Sequence, residues 1–126
     1  MAKPSEFVAH VIETMRRFGE VQARSMFGGW GLYREGLFFA LILDDALYLK
    51  ADDENVAQFE ARQLQPCVYE TKVGERIVMH YYAAPEEALE NPEAMAVWAT
   101  SAYGAALRAA ARKIPRPRRT RKDEGV

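Results

Sequence analysis

A β-hairpin is the structure predicted for residues 37–50, whose sequence is LFFALILDDALYLK. The run Leu37–Leu43 is apolar at every position, which is typical of a mid-sheet strand with cover, at least in part, on each face. The pair Asp44–Asp45 predicts a tight turn, because short acceptor side chains favour turns. Apolar and polar side chains then alternate over Ala46–Lys50, as they do in a strand with one buried face. This segment therefore indicates antiparallel β-structure.

Further strands are predicted on both sides of this hairpin. Upstream, Val21–Met26 and Gly31–Gly36 have strand-like patterns separated by a glycine cluster. Downstream, Cys67–Thr71 and Arg76–Tyr82 indicate a second hairpin closed around Gly74. Because the links between these segments are very short, we expect the strands to pair as an antiparallel meander.

Helices are predicted before, between and after the strands. Ser5 is suited to cap an amphipathic first helix that ends near Gly19. A middle helix is expected over about Glu54–Arg62, and Asn91 is a favourable N-cap for a last helix that runs to about Lys113. The expected fold class is therefore α+β with two layers, an antiparallel sheet of about five strands flanked by an N-terminal, a middle and a C-terminal helix.

The composition is that of a soluble globular domain. Of 126 residues, 49% are hydrophobic and 28% are charged, which excludes a chain that is disordered throughout. Cys67 is the single cysteine, so an internal disulfide framework and a multi-cysteine zinc site are excluded. The longest apolar run has seven residues, too few to cross a bilayer, and the first residues lack the apolar stretch of a signal peptide. We therefore expect a cytoplasmic protein with no membrane association.

The charge is distributed unevenly along the chain. Residues 1–107 carry nine Lys and Arg against sixteen Asp and Glu, a net charge of −7, whereas residues 108–126 carry eight against two, a net charge of +6. We expect a folded domain over residues 1–112 and a basic, disordered tail over residues 113–126. Two interpretations of the tail stay open: a solvated extension, or a site that binds nucleic-acid phosphates weakly and non-specifically. The basic residues concerned are Arg112, Lys113, Arg116, Arg118, Arg119, Arg121 and Lys122.

No catalytic or metal-binding constellation is visible in the sequence. His10 and His80 each lack a second ligand at the short spacing that zinc sites favour, so no metal is expected. Cys67 has only His80 as a base, across the predicted hairpin, and a buried structural cysteine is the commoner case. The glycine cluster at residues 28–31 leads into a strand rather than a helix, which argues against a phosphate-binding loop. We expect neither a cofactor nor an enzymatic activity.

Six aromatic residues lie in predicted strands or turns, and strand alternation turns some of them away from the main core. They are Trp30, Tyr33, Tyr48, Tyr69, Tyr81 and Tyr82. Two arrangements are open: the flanking helices cover these side chains, which is the commoner arrangement, or the side chains form a partner-binding surface.

Several segments resemble the N-terminal domain of the TfoX/Sxy family. The first is Arg24-Ser-Met-Phe-Gly-Gly-Trp-Gly-Leu-Tyr33, which is followed in order by Gly36–Ala40 and Leu47-Tyr-Leu-Lys50. Two later features are similar as well, the segment Met79-His-Tyr-Tyr-Ala-Ala-Pro85 and Trp98 in an alanine-rich helix. The motifs occur in the order that the family shows.

The resemblance extends over about residues 5–112, with one departure at Cys67-Val68, where the family usually has an aromatic residue after the proline. It implies a two-layer α/β fold like that of secretion chaperones, whose sheet and helices often bind protein. The family's named members are bacterial regulators of natural competence that act with the cyclic-AMP receptor protein at competence promoters, rather than as enzymes. Those regulators carry a second, C-terminal domain, so we expect this chain to be a stand-alone first domain.

A regulatory or adaptor role through protein contacts is the function that these observations favour. The expected partner is another protein, such as a transcription factor or a polymerase component. The contact residues that we predict are Arg24, Trp30 and Tyr33 near the glycine turn. Nucleic-acid binding through the basic tail is the alternative, and an enzyme with an unrecognised site is a remote one. A homodimer through the alanine-rich helix or an exposed sheet edge stays open as well.

Overall fold

The computed structural model describes residues 5–26, 28–70 and 72–113, and these residues contain a six-stranded antiparallel sheet. In chain order the strands are β1 Gln22–Met26, β2 Gly29–Arg34, β3 Leu37–Leu43, β4 Ala46–Lys50, β5 Pro66–Glu70 and β6 Arg76–Ala83. Their spatial order is β1-β2-β3-β4-β6-β5. The predicted α+β class is confirmed, and each of the six segments with a strand pattern forms a strand, which gives six strands instead of about five. The predicted strand end at Thr71 lies outside the described residues.

Four α-helices accompany the sheet in the described residues: α1 Glu6–Thr14, α2 Val56–Ala61, α3 Glu86–Glu90 and α4 Pro92–Lys113. A 3₁₀ helix over Met15–Arg17 follows α1 directly. The predicted caps of the first and last helices are confirmed. Ser5 Oγ accepts a hydrogen bond from the Val8 N–H at 3.2 Å. Asn91 Oδ1 accepts one from the Glu93 N–H at 2.8 Å. None of the described helices is both long enough and apolar enough to cross a membrane.

The middle helix begins later than predicted. Its first residue is Val56 rather than a residue near Glu54. Asp52 Oδ1 accepts hydrogen bonds from the N–H groups of Glu54 and Asn55 at 3.0 and 3.2 Å, and these bonds hold the preceding residues in a turn.

The helices pack on one face of the sheet and form the main core there. Each helix places a fully buried side chain in this core: Val8, Phe59, Ala88 and Met95. The sheet contributes alternate residues of its central strands, namely Leu32, Ala40, Ile42, Leu47 and Leu49. Removal of these side chains from water is the main source of folding free energy, at about 25 cal/mol per Å² of apolar surface.

A β-bulge in β3 adds a large side chain to the main core. Leu32 pairs with Ala40 in the β2–β3 ladder. The next residue along β2, Tyr33, pairs with Phe38, so Phe39 is an extra residue on β3. The Phe39 side chain is fully buried in the main core. The bulge therefore turns two successive residues of β3 toward the helices and leaves Phe38 on the opposite face.

The opposite face, which we call the helix-free face, holds a second and smaller apolar cluster. Its buried residues are Leu41, Cys67 and Tyr81, with Phe38, Leu43 and Tyr48 packed against them. Within the described part of the chain, every member of this cluster belongs to a strand. Apolar contacts on both faces explain why Leu37–Leu43 is apolar throughout.

The aromatic residues are divided between the two faces. Trp30 and Tyr82 pack against the main core, as expected for residues under helices. Tyr33, Tyr48 and Tyr81 lie on the helix-free face, so the expectation that helices cover the tyrosines is wrong for these three. Successive strand residues point to opposite faces, which is why neighbouring aromatic residues separate in this way. The side chain of Tyr69 lies outside the described part of the structure.

Candidate protein-binding face

Five side chains form a continuous row across the helix-free face. The guanidinium carbon of Arg24 lies 4.7 Å from the centroid of the Tyr33 ring. The ring centroids of Tyr33 and Phe38 are 5.2 Å apart, and those of Phe38 and Tyr81 are 5.5 Å apart. At the far end, Lys50 Nζ lies 5.0 Å from the centroid of the Tyr81 ring. This aromatic row therefore consists of three rings between two cations.

Strand register assembles the row from five different strands. Arg24 pairs with Gly31, which has no side chain, and Arg24 extends over the diagonal ring of Tyr33 instead. Lys50 pairs directly with Tyr81, so the ammonium group and the ring share one face of the sheet. The row as a whole brings together residues that are up to 57 positions apart in the chain, from Arg24 to Tyr81.

Burial changes the pKa of three groups on this face, the hydroxyls of Tyr48 and Tyr81 and the thiol of Cys67. Burial raises the pKa of Tyr81, and the neighbouring Tyr33 adds to the effect. Burial also raises the pKa of Tyr48 and the pKa of the Cys67 thiol. A thiol with a raised pKa is a poor nucleophile, because the thiolate is the reactive form. This face therefore offers the partly exposed rings of Tyr33, Phe38 and Tyr48 and the exposed cation of Arg24 for binding, and its buried thiol is not an activated nucleophile.

The structure brings together two of the three predicted contact residues. Arg24 and Tyr33 touch each other in the aromatic row. Trp30 lies on the same strand as Tyr33 but at an odd separation, so it packs against the main core on the other face. Three members of the row, Phe38, Lys50 and Tyr81, were not among the predicted contact residues. Strand alternation was a signal for Tyr81, whereas the bulge that places Phe38 leaves no local signal.

The predicted nucleic-acid residues lie mostly outside the described part of the chain. Arg112 is exposed in the last turn of α4, beside a cleft that is also lined by Lys50, His80 and the acidic run Asp52–Glu54. Arg116, Arg118, Arg119, Arg121 and Lys122 lie outside the described residues, as does the side chain of Lys113. Because acidic groups surround Arg112, the nucleic-acid alternative depends on the tail rather than on the helix.

A hydrogen-bond network holds α4 against the turn that precedes α2. Arg108 donates from Nε to Asp52 Oδ2 at 2.6 Å and from Nη2 to Asp52 Oδ1 at 3.0 Å. The hydrogen bonds from Arg108 are the largest of the effects that hold the pKa of Asp52 below its usual value. Asn55 is buried, and its amide donates to the carbonyl and hydroxyl oxygens of Ser101, both at 3.2 Å. We call these four residues the α4 clamp; their partners lie within the protein, so the clamp has a structural role.

In the described structure His10 lies on α1, whereas His80 and Cys67 lie on the neighbouring strands β6 and β5. His10 Nε2 lies 2.6 Å from the Leu89 carbonyl oxygen, so its ring connects α1 to α3. His80 is exposed and directly precedes Tyr81, which turns it away from the face that holds Cys67. Among the residues that the structure describes, no group of three or more His, Cys, Asp or Glu is arranged to hold a metal ion.

The fold and this face define a small two-layer α+β domain with its helices on one side of an antiparallel sheet. A family model described as the TfoX N-terminal domain matches residues 13–106, and the chain therefore belongs to the TfoX N-terminal domain family. Over 46 residues the chain is 41% identical to the DNA transformation protein TfoX1 of Aliivibrio fischeri. That match spans 36% of this chain and 22% of the relative, so the chain covers a minor part of the relative's length.

Proposed function

We propose that the chain is a non-enzymatic adaptor domain that regulates transcription in the bacterial cytoplasm by binding another protein through the helix-free face. Family membership and the likeness to a protein named for DNA transformation support a role in natural competence. The partner is a transcription factor or a polymerase component with an acidic, partly apolar contact surface.

The aromatic row is the observation that carries this proposal. Aromatic residues and arginine are enriched in protein interfaces, because they combine apolar area with a polar or charged end. Tyr33 and Phe38 are only half-buried, and each retains ring surface for a partner. Arg24 is exposed and lies over the Tyr33 ring, so a carboxylate of a partner meets a cation at this end of the row.

Photocrosslinking in cells tests this proposal. The photoreactive amino acid p-benzoylphenylalanine replaces Tyr33 in the row or, as a control, Val97, which is 69% exposed on α4. We expect position 33 to give a specific protein adduct that position 97 does not give. The adduct at position 33 is expected to disappear when the same chain carries Arg24→Glu, because the charge reversal repels an acidic partner.

Binding of the purified partner provides the quantitative test. We expect Arg24→Glu and Tyr33→Ala each to weaken the affinity of the full chain by about tenfold or more, as residues at the centre of an interface do. Val97→Ala is the matched control and is expected to leave the affinity unchanged. Equal adducts from positions 33 and 97, or full affinity in both row variants, would contradict the proposal.

Nucleic-acid binding is a second candidate function, and the uneven charge of the chain favours it. The net charge of +6 over residues 108–126 contrasts with −7 over the preceding residues. Binding of this kind is expected to be weak, non-specific and steeply dependent on salt, because it relies on phosphate contacts without a base-reading element.

A further inference from the structure

The two edges of the sheet differ in how well they accept another strand. β1 lies at one end of the strand order and β5 at the other. β5 begins with Pro66, and its register shifts between Pro66 and Val68; a proline and an irregular ladder both protect an edge from pairing. All five residues of Gln22–Met26 pair regularly with β2, and none of them is a proline. β1 is therefore the edge that is open to a further strand.

The outward-facing backbone groups of β1 belong to Ala23 and Ser25. Met26 pairs with Gly29 across a loop of two residues, and the pair that closes such a loop is a hydrogen-bonded pair. Hydrogen-bonded and non-hydrogen-bonded pairs alternate along antiparallel strands, so the N–H and C=O groups of Ala23 and Ser25 point away from β2. No residue in the described part of the chain supplies a further backbone partner for these groups.

The charge of β1 indicates the chemistry of its partner. Arg24 is the only charged residue of the strand and lies between the two residues with outward-facing backbone groups. Its guanidinium covers the Tyr33 ring, and no carboxylate of the described residues forms an ion pair with it. A strand added at this edge places alternate side chains on the helix-free face beside Arg24 and the aromatic row. Glu or Asp at that position complements the cation.

We propose that β1 binds an extended acidic segment of a partner protein as an additional strand of the sheet. Backbone hydrogen bonds to Ala23 and Ser25 provide affinity, and a carboxylate beside Arg24 provides selectivity. Apolar residues two positions away from the carboxylate lie on the same face and extend the contact toward the row. This inference rests on the proposed function, because it specifies how a partner of the helix-free face is held.

A second copy of this chain is a poorer occupant of the same edge. Two β1 strands related by a two-fold axis pair antiparallel, and the centred register places Arg24 directly opposite Arg24. Registers shifted by one pair keep both guanidinium groups on the same face and close to each other. Like charges on opposed strand residues are destabilising, whereas an acidic strand forms an opposite-charge pair.

Titration with model peptides tests the strand addition directly. The probes are acetyl-Thr-Val-Thr-Glu-Thr-Val-Thr-amide, in which both valines lie two positions from the carboxylate and on its face, and the same peptide with lysine in place of glutamate. Amide NMR shifts of the full chain report binding, and we expect the signals of Ala23 and Ser25 to move with the acidic peptide. The lysine peptide is expected to bind at least about fivefold more weakly than the glutamate peptide, because opposed like charges replace an ion pair. Arg24→Glu is expected to reverse this preference without a change of backbone structure.

Two matched substitutions separate backbone pairing from side-chain contact. Ser25→Pro removes an outward-facing N–H and is expected to abolish peptide binding, whereas Ser25→Ala keeps that N–H and is expected to bind as the original chain does. The proposal would be overturned if the amide NMR signals of Ala23 and Ser25 do not move during titration with the glutamate peptide. Equal affinity for the glutamate and lysine peptides would overturn it as well. Concentration-dependent dimerisation through β1 without peptide would overturn it too, since a second copy would then be the occupant. If the photocrosslinked adduct at position 33 still forms in a chain that also carries Ser25→Pro, the proposed strand addition is wrong, whereas the proposed adaptor function is retained.

Discussion

Gly29 is a residue at which the sheet leaves no room for a side chain. A Cβ atom built there overlaps the Ile42 carbonyl oxygen and lies 2.5 Å from a methyl carbon of Leu43. The glycine is therefore required by the close approach of β2 and β3. At Gly104 in α4, by contrast, the nearest atom to an added Cβ is the end of the Arg108 side chain at 3.4 Å, which is ordinary contact.

Alanine substitutions at these two glycines are expected to have opposite effects on stability. Gly29→Ala is expected to lower the free energy of unfolding by about 3 kcal/mol, because backbone atoms of β3 must move. Gly104→Ala is expected to raise it by about 1 kcal/mol, because alanine is the better helix former and finds space. Urea unfolding followed by circular dichroism measures both. If Gly29→Ala leaves the free energy of unfolding unchanged, β2 and β3 are farther apart than described.

At the scale of secondary-structure elements, the α4 clamp connects α4, the longest of the described helices, to the turn that precedes α2. Arg108 and Asp52 are 56 positions apart in the chain, and the Asp52 side chain is only 11% exposed. The pKa of Asp52 in the folded protein lies below its usual value. The pair therefore stabilises the fold most at a pH at which the carboxyl is ionised in both the folded and the unfolded protein. This contribution is lost as the pH falls through the folded-state pKa.

Replacement of the clamp arginine is therefore expected to change the pH dependence of stability. Arg108→Gln is expected to lower the free energy of unfolding by about 1–2 kcal/mol from about pH 5 upward, since a charged hydrogen-bonded pair is lost. The difference in unfolding free energy between the variant and the original chain is expected to shrink toward acid pH, because Asp52 becomes protonated in both proteins. Chemical unfolding between pH 3 and 8 measures it. Arg62→Gln, which breaks the exposed pair with Glu87, is the control and is expected to have little effect at any pH.

Local patterns predicted the elements well but did not predict their faces. The Asp44–Asp45 turn is confirmed by positive φ angles of 52° and 56°, the conformation that a two-residue hairpin turn requires. The bulge at Phe39 was not predicted, since it depends on packing against helices rather than on turn residues. It places Phe38 in the aromatic row, which is why the position of this residue could not be predicted from local patterns.

At the scale of the whole molecule, an acidic part of the chain, residues 1–107, precedes a basic one, residues 108–126. Because residues 1–107 carry a net charge of −7, the bulk electrostatics of that part do not attract nucleic acid. The two candidate functions therefore belong to different parts of the chain, the helix-free face and the tail, and they are separable by truncation.

Fluorescence anisotropy with a labelled DNA duplex across a salt series measures the role of the tail. If the tail binds DNA, a chain ending at Lys113 is expected to lose most of the affinity, and the slope of log affinity against log salt falls by about 0.9 per lost phosphate contact. Arg112→Gln in the full chain is the control and is expected to remove at most one such contact. Affinity that survives truncation, or that ignores salt, would contradict binding through the tail.

The sequence by itself determined the fold class, the hairpin turns, the helix caps and the family of this protein. These features depend on residues close together in the chain, such as Ser5 and Asn91 at helix starts, and their signals are local. Only the tertiary structure decided that Tyr33, Phe38 and Tyr81 share the helix-free face, and that β1 is an edge strand. Those properties depend on strand order and on which face the helices cover, and both are set by packing between distant residues.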